Sequence, residues 1–437
     1  LIIIGGLLLA DNLLTGFAVW TLFSRYWPLI LILWGLAKLF DYFASRRAGE
    51  AAPPTFSGGE FFLLILLLLF VGGVASILEL GERVPGLFEG PWDQTYSFPL
   101  ETSAKNIKPD ARILVHLQRG DIRIVPEDIT EIRAVATRNL RVGPGSREDE
   151  VRRWADAVTL EIREVGGIYE LRPRGADLTS RRLRVDLELH VPKQASVELK
   201  TDRGNIFIAS LQGIIRAEVG SGDIEIRDAS RSVDLKIRSG DVRVSGVKET
   251  VHLLGDAGEV EVNDVGGEAV LEGNMDGPIR LSNIAKGARY RSNRTDLSTG
   301  PLPGRVELSG GTLEVTDVNG AVSVTTREKH IRFENVAGKI FIRNRNGDVD
   351  LRFANPPKDE VDVENQSGAI ELFLPASSSF ELAASSRNGE VESEFAAPTL
   401  KKSEEQDTVK LEGKIGARGP ALRLTTTYGT ISLRKSD

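Results

Sequence analysis

The sequence predicts an all-β fold, a right-handed β-solenoid with two strands per rung and about 18 residues per rung, carried on N-terminal transmembrane α-helices. Three observations point there. A short phrase, glycine followed by alternating polar and apolar residues, returns at a fixed spacing through the C-terminal half. Between its returns apolar and charged residues alternate, as they do in strands with one buried face. The N-terminal part holds long runs without charge.

The repeat is clearest from Gly204 onward. GNIFI at Gly204, GDIEI at Gly222, GDVRV at Gly240, GEVEV at Gly258 and GPIRL at Gly277 are spaced 18, 18, 18 and 19 residues apart. After a less regular stretch the phrase resumes as GTLEV at Gly311, GAVSV at Gly320, GKIFI at Gly338, GDVDL at Gly347, GAIEL at Gly368 and GEVES at Gly389, and it ends with GTISL at Gly429. Each period holds two strands. Ile224 and Ile226 alternate with Glu225 and Arg227, a turn follows, and Val233, Leu235 and Ile237 then alternate with Asp234 and Lys236. The turns rhyme as well: NDVGG at Asn263, SNIAKG at Ser282, TDVNG at Thr316 and ENVAG at Glu334. Asp or Asn is expected to start each turn, with Gly supplying a positive φ and Val265, Ile284, Val318 or Val336 plugging the corner. An antiparallel sandwich also has short strands and glycine turns, but it has no reason to repeat its turn chemistry at a fixed period.

The run from Phe61 to Leu78 has no charge, and at about 1.5 Å per residue it nearly spans a hydrocarbon core of about 30 Å. Tyr26 to Phe43 is apolar apart from Lys38 and Asp41, with Trp27, Trp34 and Tyr42 suited to an interfacial belt. Leu1 to Leu14 reads as the rest of a first helix whose start is missing, since the chain opens on Leu1 rather than Met. Arg46 and Arg47 are set against only Glu50, whereas Glu79 and Glu82 with Arg83 lean acidic beyond the third helix. The positive-inside tendency therefore places Arg46 and Arg47 in the cytoplasm and everything after about Leu80 outside, with Arg25 mildly opposed.

The expected organisation is a two-helix transmembrane module over 1–43, a cytoplasmic loop over 44–60, a third transmembrane helix over 61–80 and a linker over 81–110. An N-terminal capping β region with a short helix at SREDEVRRWADAV follows over 111–200. The solenoid repeats occupy 201–437, with a charged insertion at about 396–420 that folds back as a hairpin.

Two resemblances follow from these residues. GGLLLADNLL and YWPLILILWGLAKLF, with Asp11, Asn12, Trp27 and Pro28 at the matching positions, resemble the paired-helix transmembrane module of LiaF-type bacterial cell-envelope stress proteins. LELHVPKQASVELKTDRGNIFI, in which Val191 and Pro192 lead toward Gly204, and the SGDIEI phrases resemble the bacterial putative-adhesin family of β-solenoid domains over most of Ile113 to Leu433. That resemblance implies a fold and an adhesin-like role, and no catalytic motif comes with it.

Composition narrows the chemistry. In 437 residues, 55 Lys and Arg stand against 62 Asp and Glu, a net charge of -7, so no basic field exists to hold nucleic acid. There is no cysteine, which removes disulfides and thiolate metal sites. Asp223 and Asp241, in register with Asn205 and Glu259, should stack in a column. Such a column could be a calcium or carbohydrate ladder, or only a set of turn residues accepting backbone hydrogen bonds. Thr312, Ala321 and Lys339 fill the slot elsewhere, which favours turns. His116, His190, His252 and His330 are scattered, and no nucleophile-elbow or phosphate-loop pattern is present. No catalytic, cofactor-binding or metal-binding residue is therefore assigned. The expectation is a non-enzymatic binding, adhesion or scaffolding module in the bacterial cell membrane, multi-pass, with its β-domain extracytoplasmic. Its expected partners are the lipid bilayer and an envelope protein or glycan ligand, with self-association the other contact to consider. The alternatives are an envelope-stress sensor signalling through its membrane module and a carbohydrate-active β-helix enzyme.

Overall fold

The computed structural model describes residues 94–143, 146–175 and 182–436. The expected membrane helices, their cytoplasmic loop and the first part of the expected linker lie outside the described residues. No helix among the described residues is long and apolar enough to cross a membrane. The chain divides into two units, Leu1–Gln94 with Val142–Arg147, and Thr95–Arg141 with Glu148–Asp437. The architecture below is that of the second.

Nearly every described element is a strand, and the strands form two long sheets. In the first sheet Ile206, Ile224, Val242 and Val260 lie side by side in parallel strands, each 18 residues after the last, and Ile279 follows after 19. In the second sheet Val197, Ile215, Val233, Val251 and Ala269 do the same, and Ala288 follows after 19. The sequence period is thus the pairing register. Ile224 and Ile226 are 1% and 0% exposed while Glu225 and Arg227 face outward, so the strand phase is as expected. The core is a set of columns of Ile, Val and Leu shared between the sheets, each side chain worth about 1.5–3 kcal/mol when buried. A lone rung has nothing to bury these residues against, so its stability comes from its neighbours.

Three departures from simple stacking shape the unit. The first is at its start. Arg112–Arg119 and Ile122–Glu127 already form a rung, paired with Ser196–Arg203 and Ile206–Ala209. The intervening chain covers the free side of this rung. Leu183–Pro192 and Glu131–Val142 extend the first sheet, and the hairpin of Thr159–Val165 with Ile168–Arg174 extends the second. Gln94–Lys105, within the expected linker, is a strand beside Glu131–Val142. The expected short helix, α1 (Glu148–Asp156), has Glu148, Asp149 and Glu150 in its first turn and Arg153 in its last, as the helix dipole favours. The buried Arg138 guanidinium donates to the carbonyls of Ala155 (2.6 Å) and Val158 (3.1 Å), satisfying acceptors at the helix end.

The second departure is the less regular stretch. Asp296–Thr299 pairs antiparallel with both Ala288–Arg291 and Val322–Thr325. Leu302–Leu308 pairs antiparallel with both Ile279–Ile284 and Thr312–Asn319. Residues 296–308 are one rung laid backwards, entered and left by U-turns at Ser292–Thr295 and Ser309–Thr312. Two reversals restore the direction, and parallel stacking then resumes.

The third is at the C-terminus. Ala421–Tyr428 sits between Val361–Ser367 and Phe380–Ser386, and Ile431–Ser436 sits between Ile370–Pro375 and Val391–Ser393. The last rung in sequence is therefore not the last in space. The charged insertion forms the expected hairpin: Thr408–Ile415 pairs with Phe380–Ser386, and Lys401–Glu405 forms the outer edge.

Candidate binding surface

The corners explain the repeated phrase. Gly204, Gly222 and Gly240 have φ of 147°, 139° and 133°. A Cβ on Gly240 would lie 2.0 Å from the carbonyl oxygen of Gly222, and one on Gly222 2.2 Å from that of Gly204. Side chains are excluded because one corner rests directly on the backbone of the corner before it. The residue after each glycine ties the stack together. Asp121 Oδ1 accepts the amide of Asn205 (2.7 Å), Asn205 Oδ1 that of Asp223 (2.8 Å), Asp223 Oδ1 that of Asp241 (2.9 Å) and Asp241 Oδ1 that of Glu259 (2.9 Å). The column is brought together as expected, and Asp121, Asn205, Asp223 and Asp241 each hold the backbone of the next rung, while the Glu259 carboxylate accepts from Arg280.

The other corners follow expectation in part. Gly287, Gly320 and Gly338 take the expected positive φ (98°, 158° and 150°) and the glycines after Val265 do not, while in all four turns the Asp or Asn takes a positive φ as well, 58° at Asp264, 53° at Asn283, 52° at Asp317 and 55° at Asn335. Asp and Asn adopt this region more readily than other L-residues with a Cβ, and here their side chains bond from rung to rung: Asp264 Oδ1 accepts from Asn283 Nδ2 at 2.6 Å and Asp317 Oδ1 from Asn335 Nδ2 at 3.1 Å. The plugging role of Val265, Ile284, Val318 and Val336 is as expected, since all four are buried.

Sequence reasoning missed a second set of polar residues, inside the core, in which Asn344, Asn365, Thr426 and Ser386 stack on neighbouring strands and Thr201 lies apart near the start of the stack. Thr201, Asn344, Asn365, Thr426 and Ser386 are buried and donate to corner carbonyls. Thr201 reaches Gly120 O (3.3 Å), Asn365 reaches Gly347 O (2.8 Å) and Ser386 reaches Gly429 O (2.7 Å). A buried carbonyl needs a donor. The signal was present: each of these residues precedes a corner glycine by three, where other rungs have Val219 or Ile237.

The outward faces carry columns of alternating charge. Across neighbouring strands of the first sheet run Arg123, Phe207, Glu225, Arg243, Glu261 and Arg280. Arg123 lies 4.4 Å over the Phe207 ring, with Arg227 at 5.9 Å, beside a hollow of about 520 Å³. On the second sheet Lys200 pairs with Glu218 at 2.6 Å and Arg216 with Asp234 at 3.5 Å, around a hollow of about 430 Å³ that His116 and His252 also line. The hydrogen bond from Lys200 holds the Glu218 carboxyl below the usual carboxylate range. His190 contacts Glu127 at 2.6 Å and Glu188 at 3.2 Å, and His330 Nδ1 accepts the amide of Asp348 at 3.2 Å. Among the described residues no three His, Asp or Glu side chains group as metal ligands.

Charge-patterned faces on stacked rungs make this a β-solenoid-like fold of two long sheets, whose conspicuous feature is extended surface. Residues 111–434 match the family model described as Toastrack DUF4097, and the chain belongs to that family. Residues 1–86 match the LiaF transmembrane domain. No curated protein matches the chain. Among solved structures, it is similar to a putative cell adhesion protein from Clostridium sporogenes (10% identity, TM-score 0.18, covering 78% of this chain and 100% of that one). Similar too are putative adhesins from Bacteroides fragilis (10%, TM-score 0.20, 79% and 98%) and Parabacteroides distasonis (10%, TM-score 0.23, 78% and 97%). Overlap that slight says nothing about ligand or activity.

Proposed function

We propose that the chain is a membrane-anchored, multi-pass protein whose extracytoplasmic β-solenoid is a non-enzymatic binding, adhesion or scaffolding module at the bacterial cell envelope. The observation that carries this reading is the use of the corner acids. The side chains that a calcium ladder or a carboxylate pair would draw on, Asp121, Asp223 and Asp241, accept the amides of Asn205, Asp241 and Glu259. The outer faces offer broad, charge-paired area suited to a macromolecular partner. Anchoring is supported by the LiaF transmembrane match over residues 1–86 and by the uncharged run from Phe61 to Leu78. An outside β-domain is supported by Arg46 and Arg47. Right-handed winding is the reading that strand twist favours for parallel crossovers.

The same transmembrane match supports a second reading, a sensor or regulator of envelope stress that signals through the membrane module. Both readings place the solenoid outside. Because the chain has no cysteine, single substitutions test this cleanly in intact cells. Ser239→Cys, at an exposed corner, is expected to react with a membrane-impermeant maleimide, and Ser45→Cys only after lysis. The reverse pattern would overturn the placement. Turnover of envelope glycans by the purified full chain would overturn the non-enzymatic reading.

A further inference from the structure

The reversed rung opens the stack at one edge. Regular corners rest on one another with no room for a methyl group, but a Cβ added at Gly310 or Gly311, in the second U-turn, would meet nothing within 4 Å. Here the two U-turns and the corners Asn274–Gly277 and Thr326–Lys329 enclose a cleft of about 540 Å³. Three cations line it. Lys329 Nζ, half-buried, donates to the carbonyl oxygens of Ser309 and Gly310, the latter at 2.7 Å. Its pKa is pushed down, first by burial and then by the neighbouring Arg294.

Arg294 and Arg327 stand at the exposed rim. Many outward arginines among the described residues sit against a carboxylate, as Arg216, Arg289, Arg332 and Arg434 do. Neither Arg294 nor Arg327 forms an ion pair among the described residues. Asp276 and Glu328 also line the cleft, leaving it one positive charge in excess on a chain that is negative overall.

We propose that this cleft binds a phosphate group, with the Arg294 and Arg327 guanidinium forks on its oxygens and the Lys329 ammonium beneath it. A tetrahedral phosphate presents enough acceptor oxygens for all three cations, whereas a carboxylate presents two. Guanidinium forks match phosphate in a bidentate manner, and a half-buried ammonium acts as a point charge. An anion there would relieve the mutual repulsion of Lys329 and Arg294. The site lies at the edge of the sheets, and the inference holds whatever the outer faces bind. The phosphate could be a free anion or part of a phosphodiester such as a lipid headgroup, and the chemistry is shared.

The test is titration calorimetry on the full chain in detergent micelles, with inorganic phosphate in one arm and glycerophosphoglycerol, a soluble headgroup equivalent, in the other. Sodium chloride at matched ionic strength is the reference. A saturable isotherm with one site per chain is expected for phosphate. R294Q/R327Q should weaken it about tenfold or more, while its melting temperature in chloride stays that of the parent because both residues are exposed. Binding of phosphate alone marks a free-anion site, and binding of both marks a headgroup or phosphodiester site. Heats no different from chloride in both arms, or equal affinity in R294Q/R327Q and the parent, would overturn the proposal.

Discussion

At the residue scale, the repeated Gly-Asp pair divides two tasks. The glycine lets one corner lie on another, and the aspartate ties the amide of the next. Gly240→Ala places a methyl 2.0 Å from the Gly222 carbonyl in a backbone region that L-residues rarely adopt, so a loss of about 2–4 kcal/mol is expected. Gly311→Ala meets open space at an ordinary φ and should stay within about 0.5 kcal/mol. Denaturant melts of the two variants decide this, and equal effects would show that the corners are not in contact. The aspartate makes a separate prediction. Asp223→Asn keeps the acceptor for the Asp241 amide and should change stability by a few tenths of a kcal/mol, whereas Asp223→Ala removes it and should cost about 1 kcal/mol. The melting temperature of the parent should be the same with calcium as with chelator. A calcium-dependent rise lost in Asp223→Asn would instead reveal a metal ladder.

At the element scale, a rung is stable only between neighbours. The final strands, Ala421–Tyr428 and Ile431–Ser436, fill a slot between two rungs that precede them in sequence. Ending the chain after Pro420 removes a middle layer rather than an end. The rung built from Phe380–Ser386 and Val391–Ser393 then loses its parallel partners, and the buried Asn365 loses its neighbour Thr426. Limited proteolysis of this truncated chain should cut between about residue 376 and residue 420, while the rungs from Arg112 to Arg352 stay protected. Protection throughout would show that the order of the last strands is otherwise.

At the scale of the whole molecule, a parallel stack has two sheet ends that can template pairing with another copy. The outer strand at the C-terminal end, Lys401–Glu405, is exposed at every residue and carries Lys401, Lys402, Glu404 and Glu405. Charge there opposes edge-to-edge addition. The variant K401T/K402V/E404V/E405T should therefore show larger, concentration-dependent species in light scattering of the micellar protein. A mass equal to that of the parent at all concentrations would show that the hairpin blocks the end by shape rather than by charge.

The local and periodic features were legible in the sequence because each rung repeats the same demand. An Ile or Val at one face and a glycine where backbones touch reappear every 18 or 19 residues from Gly204 to Gly277, with Asn or Asp after the glycine in the first three rungs, and that period is the pairing register itself. The helix at Glu148–Asp156 and the hairpin at Lys401–Ile415 were legible from local charge and turn residues. What the tertiary structure alone decided is where non-neighbouring segments dock. Whether Asp296–Leu308 runs forward or backward, and whether Ile431–Ser436 ends the stack or enters it, leaves the alternation of buried and exposed residues unchanged. A strand presents the same apolar face in either direction, so the choice rests on turn geometry and on contacts with distant rungs. The cleft that holds Lys329, Arg294 and Arg327 follows from that choice, which is why residues divided between two distant turns gave no motif to read.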